Sequence, residues 1–250
     1  MTYHITISAP FIRYLKEEFP TIRLQLWGLM GTGKSCFINS LATLYNEDPR
    51  FPNKKLSPAF SRPASTTVST EIKEYRFDNV VVRDAWGWEE GRQEVYNDLL
   101  FQLMLGGRLG SNFSMEDATK INVLKLPTDQ AEPIDLVLFF VTVTAVENEA
   151  YLNKLNHFIK EAQKLDIPFL VLLTQIDKVE PSLRQDPYCV NPTVQELVSR
   201  VCMKIELDEA SVIPVVNYTK ESEREWAMDR AAFVTLYRAF QAREESRMGC

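Results

Sequence analysis

The chemistry of this chain is concentrated in Gly28-Leu-Met-Gly-Thr-Gly33-Lys34-Ser35. The pattern Gly-x4-Gly-Lys-Ser suits one task, cradling a polyphosphate. Glycines at both ends admit unusual dihedrals and clear side chains from the path of phosphate oxygens. Backbone N–H groups from Met30, Gly31, Thr32, Gly33, Lys34, Ser35 and Cys36 can converge on the anion, helped by the positive end of a helix starting at Lys34. The Lys34 ammonium can reach β- and γ-phosphates, and the Ser35 hydroxyl can ligate Mg²⁺.

Other candidates follow apolar runs. Asp84 ends Val80-Val-Val-Arg and opens Asp84-Ala-Trp-Gly87. A carboxylate there can hold Mg²⁺ through water, and the Gly87 N–H can meet a γ-phosphate. Thr174-Gln175-Ile176-Asp177 ends Phe169 to Leu173. An aspartate there can accept from N1–H and the 2-amino group of guanine; adenine, with no proton on N1, would leave it unpaired. The same aspartate can equally cap the turn Asp177 to Pro181. Asn217-Tyr218 ends the last apolar run, where a backbone N–H and the ring can line a base pocket or simply form a turn. Of Thr66, Thr67 and Thr70, Thr67 is the choice for completing the Mg²⁺ shell and sensing the γ-phosphate, although threonines are also good strand sequence.

These residues need a scaffold, and the hydrophobic pattern supplies one. Alternation over Ile22, Leu24 and Leu26 predicts a strand before the glycine loop, and Lys34 to Tyr45 a helix after it. Asn46 to Ala64 carries Pro49, Pro52, Pro58 and Pro63 and predicts a loop. Thr66 to Phe77 and Asn79 to Ala85 read as strands joined at Asp78-Asn79. Glu89 to Gly107 is helical by spacing, and residues 108 to 133 read as a polar surface insertion. Asp135 to Thr144 is nearly continuously apolar, as a central parallel strand is. Then follow a helix (Glu147 to Leu165), a buried strand (Pro168 to Thr174), a helix (Thr193 to Ile205), a strand (Ser211 to Tyr218) and a long helix (Arg224 to Glu245). The alternation specifies an α/β three-layer sandwich: a mostly parallel sheet of about six strands with helices on both faces. One domain accounts for residues 1 to 250, with 1 to 20 as an appendage holding the β-branched Ile5 to Ile7 and a helical Phe11 to Glu18.

With 250 residues, 45% hydrophobic and 25% charged, the composition is that of an ordinary soluble globule. The net charge of −6 argues against sequence-independent nucleic-acid binding. The longest apolar run, Leu136 to Val146, is interrupted by Thr142 and Thr144 and falls short of the ~20 residues of a membrane helix. The start lacks a basic-then-apolar signal and a glycine at position 2. Cys36, Cys189, Cys202 and Cys250 lack metal-ligand spacing and read as reduced thiols of a cytoplasmic protein. His157 falls among Leu152, Leu155 and Ile159 and reads as structural; His4 has no partner motif.

In this order, Gly28 to Ser35, Asp84 to Gly87 and Thr174 to Asp177 resemble the GTP-binding domain of small and dynamin-like GTPases. Additional blocks are similar to the interferon-induced protein 44 family of GTPase-like proteins: Phe37-Ile-Asn-Ser-Leu, Asn97-Asp98-Leu-Leu with Gly106-Gly107, Ile134 to Val141, Ile167 to Thr174, and Val215-Val-Asn-Tyr218. The resemblance implies GTP or GDP as ligand with Mg²⁺ as cofactor, and Lys34, Thr67 and Gly87 as the catalytic set. It implies unknown protein effectors and leaves a homodimer possible. Three departures point to slow hydrolysis. Gln175 replaces the usual lysine and brings no charge to the loop. Trp88 stands where a glutamine would orient water, and indole only donates. Met30 obstructs an inserted arginine. Glu89 or Glu90 can position water, or simply favour a helix N-terminus. Two alternatives remain: a nucleotide-binding interaction module without turnover, and an ATP-using P-loop enzyme.

Overall fold

A computed structural model describes residues 8–46, 54–59, 71–85, 94–110, 113, 132–188 and 191–249. The expectations for Ile5 to Ile7, Pro49, Pro52, Pro63, Thr66, Thr67, Thr70, Trp86, Gly87, Trp88, Glu89, Glu90, Cys189, Cys250 and most of the 108–133 insertion fall outside these residues.

A six-stranded sheet in the order β2-β3-β1-β4-β5-β6 forms the middle layer. Its strands are β1 (Ile22–Trp27), β2 (Lys73–Phe77), β3 (Val80–Asp84), β4 (Leu136–Thr142), β5 (Phe169–Thr174) and β6 (Val212–Val215). β3, β1, β4, β5 and β6 run parallel, and β2 joins β3 antiparallel through the tight turn at Asp78-Asn79, where Asp78 takes φ 46°. The helices are α1 (Ser8–Glu18), α2 (Lys34–Leu44), α3 (Glu94–Leu105), α4 (Glu149–Lys164), α5 (Pro192–Ile205) and α6 (Trp226–Met248). This is the α/β three-layer architecture that the alternation of elements predicts.

The alternation within β1 explains the layers. Ile22, Leu24 and Leu26 point into a core with Phe37, Ile38 and Leu41 of α2 and Leu236 and Phe240 of α6. Trp27 points into the opposite core, with Phe101 of α3, Phe158 of α4 and Val201 of α5. All seven residues of β4 are buried, because both faces are covered and both edges are paired. α1 and the residue after it pack on α6 through aromatic pairs, Phe11 on Phe233 and Phe19 on Phe240. Asn79 Nδ2 ties the end of α1 to the β2–β3 turn by donating to the carbonyls of Leu15 and Phe19.

Some elements are shorter than their sequence patterns. β6 stops at Val215, whose register partner Thr174 is the last residue of β5, so Val216 to Tyr218 have no ladder to continue. β4 stops at Thr142, whose Oγ1 accepts from the Ala145 N–H and caps a short 3₁₀ turn. The strand order reverses at β1. The helix after β1 covers one face and the helix after β3 the other, so a crevice opens beyond the carboxyl end of β1.

Candidate functional site

The crevice is lined first by the loop from Gly28 to Gly33. An added Cβ at Gly28 would lie 2.9 Å from the Phe140 carbonyl oxygen, so the loop leaves β1 in contact with β4 backbone. Gly31 and Gly33 take φ 79° and 98°. Thr32 Oγ1 donates back to the Leu29 carbonyl at 2.7 Å and closes the turn. Gly33 is the N-cap of α2 and brings no side chain to its first-turn N–H groups. A helix start has no intrahelical acceptor for those donors, which leaves them for an anion.

Lys34 is buried, and its Nζ donates to the carbonyls of Gly28 (2.9 Å) and Leu29 (3.0 Å). The side chain therefore lies folded over the loop rather than extended into solvent. Burial pushes its pKa below the ordinary lysine value, and the Asp84 carboxylate partly offsets that. Asp84 is the last residue of β3, buried, in register with Leu26 of β1. Ser35 and Cys36 are half-buried in the first turn of α2, and Met30 is 41% exposed. For Mg²⁺, the chain offers the Ser35 hydroxyl and the Asp84 carboxylate at neighbouring element ends. Both are hard oxygen donors, which fits that ion's preference for oxygen ligands.

The far wall comes from β5 and β6. Thr174 Oγ1 donates to the Thr32 carbonyl at 2.8 Å, and Gln175 Nε2 donates to the Gly31 carbonyl at 3.0 Å. Gln175, at φ 63°, takes a left-handed conformation to make this turn. The glutamine thus reaches the loop oxygen by a neutral hydrogen bond. Asp177 follows in a 3₁₀ turn with its Oδ2 2.6 Å from Arg184 Nη1. Asn217 is buried beside the loop, with Nδ2 3.5 Å from the position of a Cβ on Gly33.

Tyr218 has another place. Its N–H donates to Ser40 Oγ at 3.1 Å, and its hydroxyl lies between the Glu225 carbonyl (2.8 Å) and Asp229 Oδ1 (2.9 Å). The residue is 1% exposed, and its amide is already paired with Ser40. An aromatic ring at the end of a short edge strand gains from burial against α6 while its hydroxyl keeps polar partners. His157 is on α4 as the spacing predicts, with Nε2 2.8 Å from Asp98 Oδ1 of α3. The structure brings together Gly28, Met30 to Cys36, Asp84, Thr174, Gln175, Asp177 and Asn217; Thr67 and Gly87 lie outside the described residues.

Several contributors carry no motif. Ser40, one turn beyond Cys36, receives the Tyr218 amide and donates toward Asn217 Oδ1 at 3.3 Å. Lys55 donates to the Thr219 carbonyl at 2.7 Å; burial lowers its pKa, Cys36 opposes that shift and the Arg184 charge adds to it. Arg184 and Glu221 join the Asp177 turn to the loop after β6. Arg184 reaches Thr219 across 35 residues, Lys55 reaches it across 164 and Ser40 meets Tyr218 across 178, so no local pattern could reveal these contacts.

No protein-family model matches the sequence, and no curated protein matches it. Among solved structures the chain is similar to the crystal structure of an ADP ribosylation factor-like GTP binding protein, the small COPII coat GTPase SAR1 from Encephalitozoon cuniculi in complex with GDP. The likeness has a TM-score of 0.48 and 14% identity over 97% of this chain and 87% of that one.

Proposed function

We propose that the protein binds guanine nucleotide with Mg²⁺ and hydrolyses GTP slowly, as a switch. The observation that carries this is the stitching of two chemistries into one crevice. Gln175 Nε2 and Thr174 Oγ1 bond the carbonyls of Gly31 and Thr32, so the turn bearing Asp177 is fixed to the loop bearing Lys34. The loop amides and Lys34 hold the phosphates, and Asp177 accepts from the guanine edge. Ser35 and Asp84 would hold Mg²⁺, with Thr67 completing the set; when bound, the ion neutralises charge developing on the phosphates. The Gly87 N–H would meet the γ-phosphate. Water attack in line with the leaving oxygen would be slow, because Trp88 has no acceptor to orient it.

The narrower likeness to interferon-induced protein 44 proteins rests on the quoted blocks alone. A cytoplasmic setting, effectors and a homodimer belong to the same proposal. Among the described residues no helix is long and apolar enough to cross a membrane. A binding module without turnover is the second reading, favoured by Met30, exposed on the loop where an arginine from a partner would enter.

Titration of the purified chain with labelled GDP, GTP and ATP in Mg²⁺, followed by timed phosphate release, tests the proposal. GTP binding tighter than ATP, with release above background, is expected. Tighter ATP binding removes the guanine assignment, and binding without release leaves the module. Lys34→Ala with undiminished affinity would discard the crevice itself.

A further inference from the structure

Arg184 belongs to no motif, yet its guanidinium is anchored on both sides beside the turn that bears Asp177. Nη1 donates to Asp177 Oδ2 at 2.6 Å, and Nη2 donates to Glu221 and reaches Thr219 Oγ1 at 3.4 Å. Glu221 is itself fixed, because its other carboxylate oxygen accepts the Thr219 N–H at 2.6 Å. The three side chains are largely sheltered, with 17% of Asp177, 26% of Arg184 and 7% of Glu221 exposed. This separates the group from ordinary surface ion pairs, which contribute little.

The planar guanidinium fork suits this bridging: one edge meets a carboxylate on the turn after β5, the other a carboxylate on the loop after β6. Two roles can be weighed. An arginine that merely blocked Asp177 until displaced by ligand would need freedom to swing away, and its anchorage by Glu221 and Thr219 opposes that. An arginine that aims Asp177 needs to leave acceptor sites open. An ionised carboxylate offers about four lone-pair positions. Arg184 takes one on Oδ2, and guanine N1–H and the 2-amino group need two.

We propose that Arg184, braced by Glu221, is a positioning residue for base selection, holding the Asp177 carboxylate in the plane where it accepts from both donors of guanine. The proposal rests on the reading of Asp177 as the guanine acceptor. Loss of the brace frees the Asp177 side chain to rotate, and a second hydrogen bond to a charged acceptor becomes hard to keep.

The test compares GDP with inosine diphosphate, which keeps N1–H and lacks the 2-amino group, on the full chain with Mg²⁺. The wild-type chain is expected to prefer GDP over both inosine diphosphate and ADP. Arg184→Met is expected to weaken GDP by roughly tenfold and inosine diphosphate by only about threefold, so the preference shrinks. Arg184→Lys should restore part of it. Glu221→Gln keeps the acceptor for the Thr219 N–H and removes the charge behind Arg184, so it should shift the preference the same way to a smaller extent. Equal losses for both nucleotides in the two variants, or no loss, would overturn the positioning role, since damage to the pocket alone lowers both alike. A wild-type chain with no preference for GDP would remove the base assignment and the proposal with it.

Discussion

Three glycines with different surroundings separate steric fit from backbone strain. Gly249, the left-handed C-cap of α6 at φ 71°, has nothing within 4 Å of an added Cβ. Gly33 at φ 98° meets only ordinary contacts, the nearest 3.5 Å away. Gly28 at φ 158° would place a Cβ 2.9 Å from the Phe140 carbonyl oxygen and 3.1 Å from both Phe140 Cβ and Thr32 Oγ1. Gly249→Ala therefore costs left-handed strain alone, ~1 kcal/mol. Gly33→Ala is dearer, ~2 kcal/mol, because φ there lies beyond the left-handed well. At Gly28 the blocking atom is backbone of the central strand β4, which cannot yield without stretching the β1–β4 ladder. Gly28→Ala should therefore add ~2–3 kcal/mol of overpacking, for a total of ~3–5 kcal/mol. For a chain of this size that corresponds to a melting point lower by roughly 6–20 °C, against about 2–4 °C for Gly249→Ala. Thermal unfolding followed by circular dichroism, with labelled GDP binding measured below the transition, reads both stability and loop geometry. Gly28→Ala should also weaken GDP at least tenfold, because displaced amides no longer converge. The reasoning fails if Gly28→Ala proves no more harmful than Gly249→Ala.

Ser40→Ala leaves the buried Tyr218 N–H without its acceptor, an expected loss of about 1–3 kcal/mol in urea unfolding. The pH dependence of binding follows from Lys34, whose burial puts its pKa below 10.5. With its pKa lowered, Lys34 loses its proton, and with it the attraction for phosphate, as pH rises toward that value. Before ligand binds, its charge costs the fold most at low pH, and that cost is relieved as pH rises through the lowered pKa toward 10.5. Labelled GDP titrations between neutral and alkaline pH should show falling affinity, and Lys34→Met should flatten the curve. Gln175→Lys replaces a neutral bond to the Gly31 carbonyl by a charged one, and GDP should tighten roughly 2–10-fold; weaker binding would contradict that placement of the side chain.

The sequence alone determined what depends on neighbours in the chain. The glycine loop and its flanking strand and helix were legible because the dihedrals, cap and periodicity involved span only Ile22 to Leu44. β4 and β5 were legible because a strand covered on both faces must be apolar at every position, and a run such as Leu136 to Thr142 says so directly. Tertiary structure decided the rest. Tyr218 is held by Ser40 and Asp229, partners 178 and 11 residues away. The end of β6 was set by where β5 stops, and not by the sequence pattern, which continues past Val215. Gln175, a loss when compared with lysine on paper, gains its bond only because β5 delivers it beside Gly31. Arg184 and Glu221 look like surface charges in the sequence; folding brings two loops together and partly shelters them from water. A side chain's type fixes what it can bond, while the distance to its partner is fixed only when the sheet closes.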